Sequence, residues 1–221
     1  MVLNFGLLST DRERVITTYD FFDIAQDRAL ETFWLAQIDE GATEKYSLTN
    51  TRFPSTTTNS QVATTATSFT IMHNKRFETL MDEAIIIGGD VTFSIAAFIS
   101  SAGGTEGDMF VSGALFVSGA ALTNFGNVTS KTLESANGGS NESFLSMKKS
   151  IPETKIKKGE YLRADIETWA KGDAGGAVNV NMGWDPLGGG THGWTNEHDF
   201  GSTNSAIDSA SRILIPIKLQ L

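Results

Sequence analysis

Two of the chain's three histidines stand in one short run, His192-Gly193-Trp194-Thr195-Asn196-Glu197-His198-Asp199, beside two carboxylates. Imidazole and carboxylate are groups that a divalent ion takes as ligands, so His192, Glu197 and His198 are the residues on which a metal-assisted hydrolase would be built. The glycines around them impose no fixed geometry, and the run reads first as a polar surface loop. Trp184 and Trp194 lie on the same Gly-rich stretch. An exposed indole there can stack on a sugar ring or fill a partner's pocket, which makes a carbohydrate-binding module the alternative function. A loop folded over one end of the domain, with the rings as its lid, is the competing role. Elsewhere there is no Gly-x-Ser-x-Gly elbow, no phosphate-binding Gly loop and no His-Glu-x-x-His. The sequence therefore predicts no catalytic residues, no bound metal and no cofactor.

Composition narrows the classes further. The 221 residues, 40% of them hydrophobic, suffice to bury a sizeable core. The absence of cysteine excludes a disulfide framework and any Cys-ligated metal. A net charge of −9 and no basic arm argue against a protein that coats nucleic acid. The cationic cluster of Lys148, Lys149, Lys155, Lys157 and Lys158 reads as a solvated strand edge, where lysine discourages edge pairing. Residues 1–10 lack the pattern of a secretory signal. The apolar run from Ile85 to Ile99 is broken by Gly88, Gly89 and Asp90, so no membrane span is expected.

The elements that must position these residues are strands. Ile85, Ile87, Val91, Phe93, Ile95, Ala97 and Ile99 recur in alternation, the period of a half-buried strand. After a turn-forming stretch the chain returns as Met109 to Ala120, apolar on both sides. Phe110 and Phe116 share one face of this returning strand; Val111, Leu115 and Val117 share the other. Either set could face the core, leaving the other to be covered by a neighbouring subunit. A second hairpin is expected from Leu162, Ala164, Ile166 and Thr168, through Gly172 to Gly176, into Val178, Val180 and Met182. Residues 30–38 read as a strand, with a helix as the competitor because Leu30, Phe33, Trp34 and Ile38 also fit helical spacing, 73–83 as a loop or short helix, and 122–140 as a long surface loop. Short strands are expected on either side of Pro152. Ile213, Ile215, Ile217, Leu219 and Leu221 predict a buried final strand. Together these patterns predict an all-β fold, a two-sheet antiparallel jelly-roll sandwich. Residues 1–55 would form an N-terminal arm and β-hairpin extension, and residues 56–221 the jelly-roll domain.

Particular phrases add to the periodicity. Tyr19-Asp20-Phe21-Phe22-Asp23-Ile24-Ala25, Leu48-Thr49-Asn50, Ile156-Lys157-Lys158-Gly159-Glu160-Tyr161-Leu162-Arg163, Gly183-Trp184-Asp185-Pro186 and Ile213-Leu214-Ile215-Pro216-Ile217-Lys218-Leu219 follow one another in that order. In this the chain resembles the jelly-roll structural proteins of tailed viruses. The Lys-Lys-Gly-Glu-Tyr turn is also similar to one in trimeric jelly rolls of the tumour-necrosis-factor and complement-globular-head kind. The resemblance implies a non-enzymatic virion protein, a head decoration or minor capsid protein or a tail or collar component. Such a protein would assemble as a homo-oligomer, with a trimer favoured, and would contact other virion proteins. Phe110, Val111, Leu115, Phe116 and Val117 are its expected interface, and Trp184 and Trp194 its possible contact loop.

Overall fold

The computed structural model describes residues 28–40, 43–52, 59–119, 122–184 and 210–218. Its elements are β1 (Arg28–Glu40), β2 (Thr43–Thr49), β3 (Asn59–Thr64), β4 (Thr70–Leu80), β5 (Ile85–Ser101), β6 (Gly107–Ser118), β7 (Leu122–Thr129), β8 (Leu133–Ser135), β9 (Ser140–Ile156), β10 (Tyr161–Gly172), β11 (Val178–Gly183) and β12 (Arg212–Lys218). All twelve belong to one mixed, mostly antiparallel sheet, ordered β3-β11-β5-β12-β1-β2-β4-β10-β6-β7, with β9 on β5 and β8 on β6. The all-β expectation holds, but the strands form one continuous sheet where two were expected. Among the described residues continuity rests on a single parallel bridge, Ser47 with Glu78. On one side of it lies the β5 half, with β1, β2, β3, β9, β11 and β12. On the other lies the β6 half, with β4, β7, β8 and β10. The halves pack face to face in places: a Cβ added to Gly113 of β6 would lie 3.0 Å from the Phe93 ring of β5.

Neither expected hairpin forms. β5 pairs with β9, β11 and β12, while β6 pairs with β10, β7 and β8. Residues 102–106 therefore carry the chain from one half to the other. Residues 173–177 do the same between β10 and β11. The two crossovers are tied together, with Ala102 N donating to Ala177 O and Asp173 N to Glu106 O. Thr105, almost fully buried, fills the space beside Gly172 and Gly176. At the other end the β4–β5 and β9–β10 crossovers are bonded likewise, Met81 N to Glu160 O and Gly159 N to Met81 O. Gly159 takes φ +84°, the left-handed conformation that lets Lys157-Lys158-Gly159-Glu160 reverse so tightly.

Other expectations are corrected by side-chain parity. Residues 73–83 are mostly strand β4. Its alternation was disguised because the inward positions beside Phe77 hold His73 and Lys75. His73 Nδ1 meets the Thr168 hydroxyl at 2.6 Å, and the Lys75 ammonium donates to the Tyr46 hydroxyl at 2.5 Å. Residues 122–140 supply β7 and β8, which pair with β6. β9 runs unbroken through Pro152, which sits at a register shift opposite Gly88 on a strand that pairs only with β5. That is where a strand tolerates proline, and Lys148, Lys149 and Lys155 lie along the same edge strand as expected. β1 and β2 are not set apart: they stand inside the sheet order, with Phe33, Leu35 and Leu48 in the common core. Ile213 and Ile215 of β12 are fully buried and Ile217 packs against them, whereas Leu219 and Leu221, like the N-terminal arm, fall outside the described residues.

Candidate assembly surface

β10 shows why this surface exists. Leu162, Ala164, Ile166, Thr168 and Ala170 point inward and are wholly buried, so Tyr161, Arg163, Asp165, Glu167, Trp169 and Lys171 must point out. β6 lies beside it in unbroken register, Leu115 opposite Ala164 and Phe110 opposite Trp169. Register thus decides the assignment that the sequence left open. Val111, Leu115 and Val117 join Met109 in the core and cannot touch a neighbour. Of the five expected interface residues, Phe110 and Phe116 alone lie on the outer face.

The outer face carries more aromatic surface than the sequence suggested. Phe110 stacks on Trp169 with ring centroids 6.0 Å apart and planes 5° from parallel, and Phe69 meets Phe110 edge-on at 5.0 Å. Phe69 and Ile71 remain 37% and 47% exposed. Trp169 was legible, since it continues the outward parity of Arg163, Asp165 and Glu167. Phe69 precedes β4 and left no signal.

Charges on this face are satisfied within it. Arg76 grips Asp165 through two hydrogen bonds of 2.7 Å, and the carboxylate raises the guanidinium's pKa by hydrogen bonding and by charge. Arg163 donates to Glu78 at 2.8 Å and to the Ser118 hydroxyl at 3.0 Å. Lys171 reaches Asp108 at 3.1 Å while its ammonium lies 5.1 Å from the Phe69 ring. Glu167 accepts from the Trp169 indole at 3.1 Å. A charge already paired loses less on burial than one that leaves water alone. Between these rows Ser112 and Ala114 floor a shallow depression of about 190 Å³, bordered by Phe116, Asn127, Asp165 and Glu167.

Trp184 is not a contact residue. It is 1% exposed, edge-on to Tyr46 at 5.6 Å and tilted against Phe77 at 6.4 Å. Its parity explains this, because it extends the inward series Val178, Val180, Met182 by one more step. A ring so enclosed cannot stack on a sugar, which removes half of the pair proposed for carbohydrate binding. Trp194, His192, Glu197 and His198 lie outside the described residues.

No protein-family model matches the sequence, and no curated protein is similar to it. Among solved structures the fold is similar to a CocE/NonD family hydrolase from Staphylococcus aureus, at 10% identity and a TM-score of 0.44, over 86% of this chain and 36% of the other. An aminopeptidase from a marine sediment Thaumarchaeota archaeon gives 7% identity and 0.44, over 87% of this chain and 37% of that one. The structure of infectious bursal disease virus, Gx strain, gives 10% identity and 0.30, over 97% and 41%. The chain thus spans well under half the length of these structures. Such likeness says nothing of activity, which has to be read from this chain's own residues.

Proposed function

We propose that this chain is a non-enzymatic virion structural protein, a jelly roll that assembles into a homo-oligomer, with a trimer favoured, and contacts other virion proteins. The two antiparallel halves, joined by one parallel bridge and facing each other at Phe93 and Gly113, support the two-sheet jelly-roll reading. The phrases shared with tailed-virus proteins support the virion setting. The observation that carries the assembly reading is the outer face of β4, β10 and β6, where Phe69, Ile71, Phe110 and Trp169 are incompletely covered beside ion pairs that need no outside partner. Apolar surface rimmed by satisfied polar groups is what a protein interface is made of, and about 800 Å² per partner makes a stable one.

Native mass spectrometry of the wild type and of Phe110→Glu tests this. The wild type is expected as a closed oligomer, and the variant as a monomer whose circular dichroism still shows the strand signature. A wild type that stays monomeric at all concentrations, or a variant that assembles unchanged, sinks the reading.

A further inference from the structure

We infer that Trp34, Arg52 and Arg212, on the outer face of the other half, form a binding site for a single oxyanion group such as phosphate. Trp34 stands at the outward parity, because its neighbours Phe33 and Leu35 point into the core, and is itself covered to 6% exposure. Cross-strand register places Trp34 opposite Arg212 on β12 and opposite Thr49 on β2, and Arg212 in turn opposite Ser94 on β5. The chain bends after Thr49, whose hydroxyl bonds Thr51 O at 2.9 Å, and brings Arg52 back over the same ring. The guanidinium carbons lie 4.1 Å (Arg52) and 5.5 Å (Arg212) from the indole centroid.

What sets these arginines apart is what they lack. Among the described residues neither side chain makes a hydrogen bond or an ion pair, although acidic residues outnumber basic ones 26 to 17 in the chain. Arg76 and Arg163 each hold a carboxylate. Contact with an indole engages a guanidinium's π face and leaves its five N–H donors free at the edge. Both guanidiniums lie against one ring, and an oxyanion reaching the edges of both takes charge-assisted hydrogen bonds from each. Ser94 adds a hydroxyl to the same row, whereas that of Thr49 is spent on Thr51. A hydrophobic or cationic ligand gains nothing from two unneutralised guanidiniums.

The oxyanion has two sources, a free anion or an acidic side chain of a second copy, and two readouts separate them. Melting temperature is followed against inorganic phosphate, with sodium chloride at matched ionic strength, for the wild type, Arg52→Gln and Arg212→Gln. Arg52 is exposed, so its variant keeps the fold even where loss of Arg212 from the Trp34 ring weakens it. A free-anion site predicts stabilisation by phosphate beyond chloride, with affinity about tenfold or more weaker in either variant. A second copy's carboxylate predicts that phosphate, or either substitution, dissociates the oligomer in sedimentation. Phosphate acting no differently from chloride, together with folded variants that sediment as the wild type does, overturns the inference, as does equal stabilisation of the variants.

Discussion

On the outer face of β4 and β10, Arg76 and Arg163 each hold a carboxylate, whereas across β12, β1 and β2, Arg52 and Arg212 hold an indole and, among the described residues, no carboxylate. The difference lies in the cross-strand neighbour. Opposite Arg163 stands Glu78, and opposite Arg212 stand Trp34 and Ser94. The same side chain therefore closes an ion pair on one half and lies against an indole on the other. Residue type alone does not distinguish the two; position in the register does.

Both surfaces are outer faces of one core, and the largest expected effect tests that. Leu115→Glu puts a carboxylate where no water reaches and no cation waits, which is expected to cost more than about 4 kcal/mol and to leave the chain unfolded or insoluble. A Leu115→Glu protein with native circular dichroism and an undiminished melting temperature would place the core on the wrong side of β6. A smaller effect checks that the halves meet where described. Gly113→Ala adds a methyl 3.0 to 3.3 Å from three atoms of the buried Phe93 ring, and overpacking of this kind costs about 1–3 kcal/mol. In Phe93→Leu the same substitution should cost less, and strict additivity in a double-mutant cycle would mean that the two residues do not touch.

The smallest effect sharpens the account of the β5 half. Glu31 has its pKa raised above the ordinary 4.5, chiefly because burial disfavours the ionised form, with the Asn50 hydrogen bond opposing the shift. A carboxyl whose folded pKa is raised favours folding below its unfolded pKa and loses that advantage as pH rises through the folded one. Glu31→Gln should therefore raise the melting temperature at pH 7, with the gap narrowing as pH falls through the raised folded value and closed by about 4.5. A variant less stable than the wild type at pH 7 would show the carboxylate to be favourably held.

Strand character and side-chain facing are local properties, and the sequence determined most of them. Tyr161 to Lys171, Val178 to Trp184 and Ile213 to Ile217 alternate as their residue types dictate, because successive side chains on an extended backbone point to opposite sides. Turns at 157–160 and 172–176 were legible from glycine and charge. Parity does not say which face is the core when both are apolar, and so Val111 and Phe110 exchanged the roles open to them only when β10 fixed the register of β6. Nor does parity name a partner. β5 and β6, like β10 and β11, were expected to pair across their turns, yet each pair crosses between halves. Strand pairing is settled by surfaces brought together from far along the chain, and a short connection serves a hairpin or a crossover equally well. At Phe93 and Gly113, where β5 and β6 meet through side chains, a ring fits where a Cβ is missing, and only the folded chain brings the two together.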